Sequence, residues 1–184
     1  VAEINAHQVR LGTAARIPDG ARFIVTGQQP GIFAGPMYTV YKAATAVLLA
    51  KELEVAAGAP CVPVFWTASE DHDFDEVRAA HFLDARRALF SLSLTAEDPP
   101  SDRPLFAVPA PEALHELIDE AAARCAGSEL TAEVAAFLHD TAAASDSLAD
   151  WFQRVMACLF GGTPLVHFAP HWPAARAAAR GVIR

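Results

Sequence analysis

The chain has 184 residues, of which 53% are hydrophobic and 20% charged, and its formal net charge is −8. This composition predicts a packed domain and excludes a disordered chain. We also expect no nucleic-acid partner, because neutralising phosphates requires clustered Lys and Arg, which are absent. No run of about 18 apolar residues and no leader-like segment is visible, so we expect no membrane contact and a cytoplasmic location.

The first half of the chain alternates strand and helix patterns. Residues 22–26 and 61–67 are short runs of β-branched and aromatic residues, which predict buried strands. Residues 37–57 lie between them and contain mostly good helix formers, and Gly58 and Pro60 end that helix. A strand, a loop, a helix and a strand form a βαβ unit with parallel strands.

The helix at 37–57 carries apolar residues at helical spacing. Val40, Ala44, Val47 and Leu48 predict its buried face, with the stem of Lys51 beside them.

Later elements are predicted more coarsely. The patterns indicate a hairpin, a surface loop, three helices with the last capped by Ser145 or Asp146, and a third parallel strand. The hairpin falls at residues 80–94 and the surface loop at 95–103. The three helices fall at 111–125, 130–144 and 151–159, and the strand falls at 164–168. We expect a lead-in segment at 1–20, a core at 21–184, and a hairpin and helical insertion at 84–145.

The three cysteines are far apart, odd in number and set among apolar neighbours. Cys61, Cys125 and Cys158 therefore predict reduced core thiols in the cytoplasm, with neither a disulfide framework nor a zinc site.

Two unusual loops follow the first two strands and should emerge at the same edge of the sheet. The first loop contains Gly27, Gly31 and Gly35 and opens a helix, which predicts a backbone site for an anion. Side chains suited to a phosphate, a ribose or an amide substrate surround it: Thr26, Gln28, Gln29, Tyr38 and Lys42.

The second loop crowds six ionisable groups into seven residues, 70–76. So many like charges beside an apolar strand must be offset by a cation, by hydrogen bonds or by a basic substrate. We interpret the block as a site, with a solvated acidic loop as the alternative. His72 could act as a general acid or a phosphate ligand, with carboxylates around it. Alternatively, Asp71, His72, Asp73 and Asp75 could hold a divalent metal.

The other histidines are weaker candidates. His7, His115 and His139 are expected at the surface, whereas His167 and His171 flank the third strand and could support the site.

At these loops the sequence resembles the bacillithiol biosynthesis cysteine-adding enzymes. The segments VTGQQPGIFAGPMYTVYK (residues 25–42) and PVFWTASEDHDFDE (residues 63–76) resemble the signature segments of that family, in the same order. A weaker similarity extends through SLADWF (147–152) and PLVHF (164–168).

The resemblance implies an α/β Rossmann-like core with a parallel sheet and flanking helices, laid out as in class I aminoacyl-tRNA synthetases. It implies a ligase that adds L-cysteine to glucosaminyl-malate, the final step of bacillithiol synthesis. Seven residues would line the pocket and five would form its polar wall: Thr26, Gly27, Gln28, Gln29, Gly31, Gly35 and Tyr38, then Glu70, Asp71, His72, Asp73 and Asp75. We expect catalytic roles for Glu70, Asp71, His72 and Asp73.

Because amide formation requires an activated carboxylate, ATP with Mg²⁺ is the expected cofactor. Full-length members are several hundred residues long and are expected to form homodimers through a coiled coil. This chain shows no sustained heptads, so we expect a fragment or shortened member with an incomplete core and no coiled-coil domain. A metal-dependent hydrolase and a non-catalytic binding module remain alternative interpretations.

Overall fold

A computed structural model describes residues 1–95, 103–110 and 112–181. Its helices are α1 (Ala2–Arg10), α2 (Met37–Ala57), α3 (Phe74–Val77), α4 (Ala113–Arg124), α5 (Thr131–Ala143), α6 (Leu148–Leu159) and α7 (Pro173–Ala179). Its strands are β1 (Arg22–Gln28), β2 (Cys61–Thr67), β3 (Ala79–Leu83), β4 (Leu89–Ser93) and β5 (Val166–Phe168). The predicted surface loop at 95–103 lies largely outside the described residues, as does Pro111.

The chain divides into two compact units. The sheet unit comprises Val1–Gln29, Met37–Glu70 and Met156–Arg184, and the hairpin unit comprises Pro30–Pro36 and Asp71–Val155.

The sheet unit contains a parallel three-stranded sheet in the order β1-β2-β5. β1 pairs with β2 from Arg22↔Cys61 to Gln28↔Thr67, and β2 pairs with β5 from Val64↔Val166 to Trp66↔Phe168. The predicted strand, helix, strand unit and third parallel strand are confirmed, and the fold is an α/β Rossmann-like domain.

Helix α2 packs through its smallest side chains. Thr39, Ala43, Ala46 and Ala50 are buried, whereas Leu48 is 64% exposed. Val40, Ala44 and Val47 of the predicted face are half-buried, so the prediction was wrong for Leu48 and only close to the buried stripe for the others. Alanine adds little side-chain volume, so the buried stripe lets the helix backbone lie close to its neighbours, while larger side chains turn outward.

The N-terminal segment is an integral part of the sheet unit. Ala15 and Ile17 pack into a cluster with Val62, Val64 and Val166 of the sheet. From α1, the buried side chain of Gln8 donates to the His167 carbonyl oxygen at 2.7 Å and accepts from the His167 N–H at 2.9 Å. The Gln8 amide thus satisfies the backbone of β5 in place of a further strand.

The hairpin unit contains the antiparallel pair β3–β4, which confirms the predicted hairpin. Asp84 stabilises the turn between the two strands, since its Oδ1 accepts from the N–H groups of Arg86 and Ala88 at 2.8 Å each.

The N-terminal cap of α6 is Ser147, whose Oγ accepts from the Asp150 N–H at 3.2 Å. The prediction of Ser145 or Asp146 was therefore wrong.

The cysteines only partly match their predicted burial. All three are free thiols, but Cys61 is buried, Cys125 is half-buried and Cys158 is exposed. The core interpretation was wrong for Cys158, which is exposed near the end of α6.

Gly27 is required by the neighbouring strand. A Cβ atom on Gly27 would lie 2.4 Å from the Trp66 carbonyl oxygen and 3.0 Å from the Trp66 Cβ. The sequence analysis placed Gly27 in the first loop, whereas the structure places it within β1, against the neighbouring strand.

Replacing Gly27 by Ala should therefore destabilise the fold by about 1–3 kcal/mol, because the obstructing atom belongs to backbone. Urea denaturation of Gly27→Ala would measure this. The matched control is Gly162→Ala, where a Cβ would meet nothing within 4 Å. Equal stabilities of the two variants would contradict the close approach.

The ring of His167 is buried, and neither ring nitrogen has a hydrogen-bond partner among the described residues. Burial, and secondarily the charge of His7, lowers the pKa of His167 from 6.5 to about 4. The folded state therefore holds this imidazole neutral, whereas the unfolded chain binds a proton once the pH falls below about 6.5.

Stability from this histidine should be fully present above about pH 6.5 and should be lost progressively as the pH falls towards 4, by about 3 kcal/mol at most. Unfolding free energies of the parent chain and His167→Phe between pH 7 and pH 4 would test this. The parent should lose stability more steeply, and parallel curves would contradict the assignment. His81→Phe, at an exposed residue of β3, is the control.

Candidate functional site

The carboxyl ends of the parallel strands define the candidate site in the sheet unit. β1 ends at Gln28 and β2 at Thr67, paired in register, and β5 ends at Phe168. The Ala68 N–H donates to the Gln28 carbonyl oxygen at 2.9 Å, so the first two strands stay together past their ends. In open α/β sheets, ligands bind beyond this edge.

A polar cluster lies at the end of β1. The Gln28 Nε2 group donates to Tyr38 Oη at 3.0 Å and to Gln29 Oε1 at 2.6 Å. Lys42 Nζ donates to Gln28 Oε1 at 2.9 Å and to the Gly27 carbonyl oxygen at 3.3 Å. The structure thus brings together five of the residues that the sequence singled out. Thr26 is half-buried, one strand residue earlier than Gly27.

Lys42 places an exposed ammonium group at this edge. Its ammonium nitrogen lies 5.0 Å from the centre of the Tyr38 ring and contacts two neutral oxygens. It forms no ion pair with any residue that the structure describes. An exposed ammonium ion surrounded by amide groups and a phenol is suited to bind an anion.

A second polar cluster follows β2. The buried Ser69 Oγ lies 2.7 Å from His171 Nδ1, and Arg176 Nη2 donates to Glu70 Oε1 at 2.9 Å. These contacts link the segment after β2 to the segment after β5. His171 was expected near this edge, but Ser69 and Arg176 were missed, because nothing in sequence spacing relates residue 70 to residue 176.

The remaining acids of the second loop lie in the hairpin unit, where local contacts hold them. Asp73 Oδ1 accepts from the Glu76 N–H at 3.1 Å and caps α3, and Asp71 Oδ1 accepts from the Asp73 N–H at 3.1 Å. Asp75 forms an ion pair with Arg78 at 2.8 Å. Much of the charge of this loop is therefore balanced by backbone donors and one arginine, while the His72 side chain is exposed.

These acids do not converge as metal ligands. Within residues 1–95, 103–110 and 112–181, no three His, Cys, Asp or Glu side chains form a group that could hold a metal ion. The metal-dependent hydrolase interpretation therefore lacks its ligand set.

The glycine loop also belongs to the hairpin unit from Pro30 to Pro36. Phe33, Ala34 and Gly35 have positive φ angles of 53°, 69° and 70°. A Cβ on Gly31 would lie 2.9 Å from the Gly35 Cα, so Gly31 is needed for the tight turn. The Phe33 ring packs edge-on against Phe82 and Trp151, with centroid distances of 5.1 and 5.5 Å, and this packing offsets the backbone strain.

Three other histidines differ from their expected exposure. His7 is buried, with its ring centre 3.7 Å from that of Trp172. His115 and His139 are half-buried and share a hydrogen bond of 2.7 Å between their Nδ1 atoms, while His139 Nε2 lies 2.9 Å from Asp119. The surface prediction was wrong for His7 and held only in part for His115 and His139, because contacts with distant residues are not visible in sequence spacing.

None of the helices in the described part of the chain has the length and apolar character that crossing a membrane requires.

Comparison with known proteins gives a consistent result. Residues 4–184 match the family described as "Bacillithiol biosynthesis BshC, N-terminal Rossmann-like domain". Similar proteins named "Putative cysteine ligase BshC" occur in Symbiobacterium thermophilum, Salinibacter ruber and Shouchella clausii. Their identities to this chain are 39%, 33% and 32%, over 83%, 92% and 88% of its length.

The match covers 29%, 30% and 30% of those relatives, so the chain spans less than a third of their length. The family match covers nearly all of this chain, with the sheet and both signature loops inside it. The chain belongs to the family of BshC N-terminal Rossmann-like domains.

Proposed function

We propose that this chain provides the substrate-binding edge of a ligase that adds L-cysteine to glucosaminyl-malate in bacillithiol synthesis. The names of the relatives support a cysteine ligase, and the family description supports the pathway. The observation that carries the proposal is the Lys42 ammonium at the carboxyl end of β1, unneutralised among the described residues.

The cluster around Lys42 is the proposed anion site. Lys42 supplies the charge, and the amides of Gln28 and Gln29 supply donors and acceptors around it. Such a donor set fits either a nucleotide phosphate or the carboxylates of the malyl group. A bound nucleoside triphosphate would supply the carboxylate activation that amide formation requires.

The acidic loop fits a magnesium ion less well. The Oδ1 atoms of Asp71 and Asp73 already accept backbone N–H groups, and Asp75 pairs with Arg78. We therefore assign no step to protein-bound Mg²⁺. Of the catalytic residues expected from the sequence, we propose that His72 assists proton transfer or charge stabilisation and that Glu70 receives the amino group of cysteine.

Lys42→Met should weaken binding of the anionic ligand at least tenfold, because a charge-assisted hydrogen bond contributes about 1.5–3 kcal/mol. Calorimetry with ADP and with glucosaminyl-malate would show which anion occupies the site. Lys51→Met is the matched control, since Lys51 is exposed on the same helix. Equal affinities for the two variants would contradict the anion site.

The role of His72 can be tested in a hybrid enzyme in which residues 4–184 replace the matched part of the Symbiobacterium thermophilum relative. His72→Ala should lower turnover at least about a hundredfold, the usual contribution of general acid–base catalysis. Mass spectrometry of the cysteine–glucosaminyl-malate product would measure it. His81→Ala, at another exposed histidine, should leave turnover unchanged, and unchanged turnover in His72→Ala would remove the assignment.

A further inference from the structure

The ion pair between Glu70 and Arg176 joins two separate elements at the candidate site. Glu70 follows β2, and Arg176 lies on α7 after β5, with their charged atoms 2.9 Å apart. The side chains are 48% and 54% exposed, so a ligand approaching this edge can reach both. Ser69, the residue before Glu70, forms a hydrogen bond with His171.

Such a pair exchanges partners at little cost. Exposed ion pairs contribute about 0–1 kcal/mol to stability, because water and side-chain entropy offset most of the attraction. A ligand that presents one group of each sign can therefore replace the contact with two charge-assisted contacts of its own. The guanidinium group can bind a carboxylate through two parallel N–H donors, and the Glu70 carboxylate can accept from an ammonium group.

We propose that Glu70 and Arg176 are the receptor for the ammonium and carboxylate groups of a free α-amino acid. Arg176 then determines that the substrate is an amino acid and not a simple amine. Taking that amino acid as L-cysteine rests on the proposed function, which had assigned only the amino group, to Glu70.

The surrounding contacts support this arrangement. The bond between buried Ser69 and His171 ties the segment before α7 to the end of β2, which places Arg176 beside Glu70. His171 and Ser69 act here as positioning residues. The Lys42 cluster lies at the end of the paired strand β1, so an anionic second substrate or nucleotide would bind at the neighbouring strand end.

A purely structural cross-link is the competing explanation. Glu120 and Arg124 provide the matched comparison, because this pair on α4 is 2.6 Å apart with exposures of 44% and 48%. It is formed within one helix of the hairpin unit, four residues apart in the chain.

The experiment uses three ligands that differ in one charged group each: L-cysteine, cysteamine without the carboxylate, and 3-mercaptopropionate without the ammonium. Binding to this chain is followed by NMR titration for Arg176→Ala, Glu70→Gln, and the controls Arg124→Ala and Glu120→Gln. Arg176→Ala should weaken L-cysteine at least tenfold and leave cysteamine within twofold. Glu70→Gln should weaken L-cysteine and cysteamine but not 3-mercaptopropionate.

Other outcomes separate this inference from the proposed function. L-cysteine binding that is unaffected in both variants overturns the receptor and leaves the ligase proposal standing. An equal loss of all three ligands in Arg176→Ala, with a lower melting temperature, shows a structural cross-link and also overturns it. Absence of L-cysteine binding by the parent chain overturns the receptor as well, while product formation by the hybrid enzyme decides the ligase proposal independently.

Discussion

The close contact between β1 and β2 at Gly27 is the constraint on which the rest of the site depends. Because Gly27 has no side chain, its backbone can lie against the Trp66 carbonyl group, and the two strands stay paired to their last residues. The pairing brings Gln28 level with Thr67. The Lys42 cluster after one strand and the Glu70 cluster after the other therefore open at the same edge of the sheet.

The contacts that each charged side chain makes, more than the number of charged residues, decide which charges are available to a ligand. The acidic loop dominates the sequence, yet Asp71 and Asp73 are used to satisfy N–H groups around α3. Lys42, in contrast, reaches the end of β1 from α2 and forms no ion pair with any residue that the structure describes. A chain with a net charge of −8 can thus present a local cationic site for an anionic ligand.

The N-terminal segment shows how one side chain can substitute for a missing element of structure. Gln8 carries a donor and an acceptor in one planar amide, which matches the N–H and C=O of His167 on β5. Without it, both backbone groups would be buried without partners, at a cost of about 1–3 kcal/mol each. The His167 ring is buried as well, and this burial lowers its pKa and keeps the imidazole neutral.

The sequence by itself determined the order of elements, the parallel sheet and the family, because strand and helix periodicity and the two loop motifs are local properties. It also identified Gln28, Gln29, Tyr38 and Lys42. These residues are close in the chain, since the first two lie at the end of β1 and the other two lie on the helix that follows, α2. Only the tertiary structure paired Glu70 with Arg176 and Ser69 with His171, or turned the alanine face of α2 inward. Those contacts join residues far apart in the chain or depend on packing volume, and neither leaves a periodic signal in the sequence.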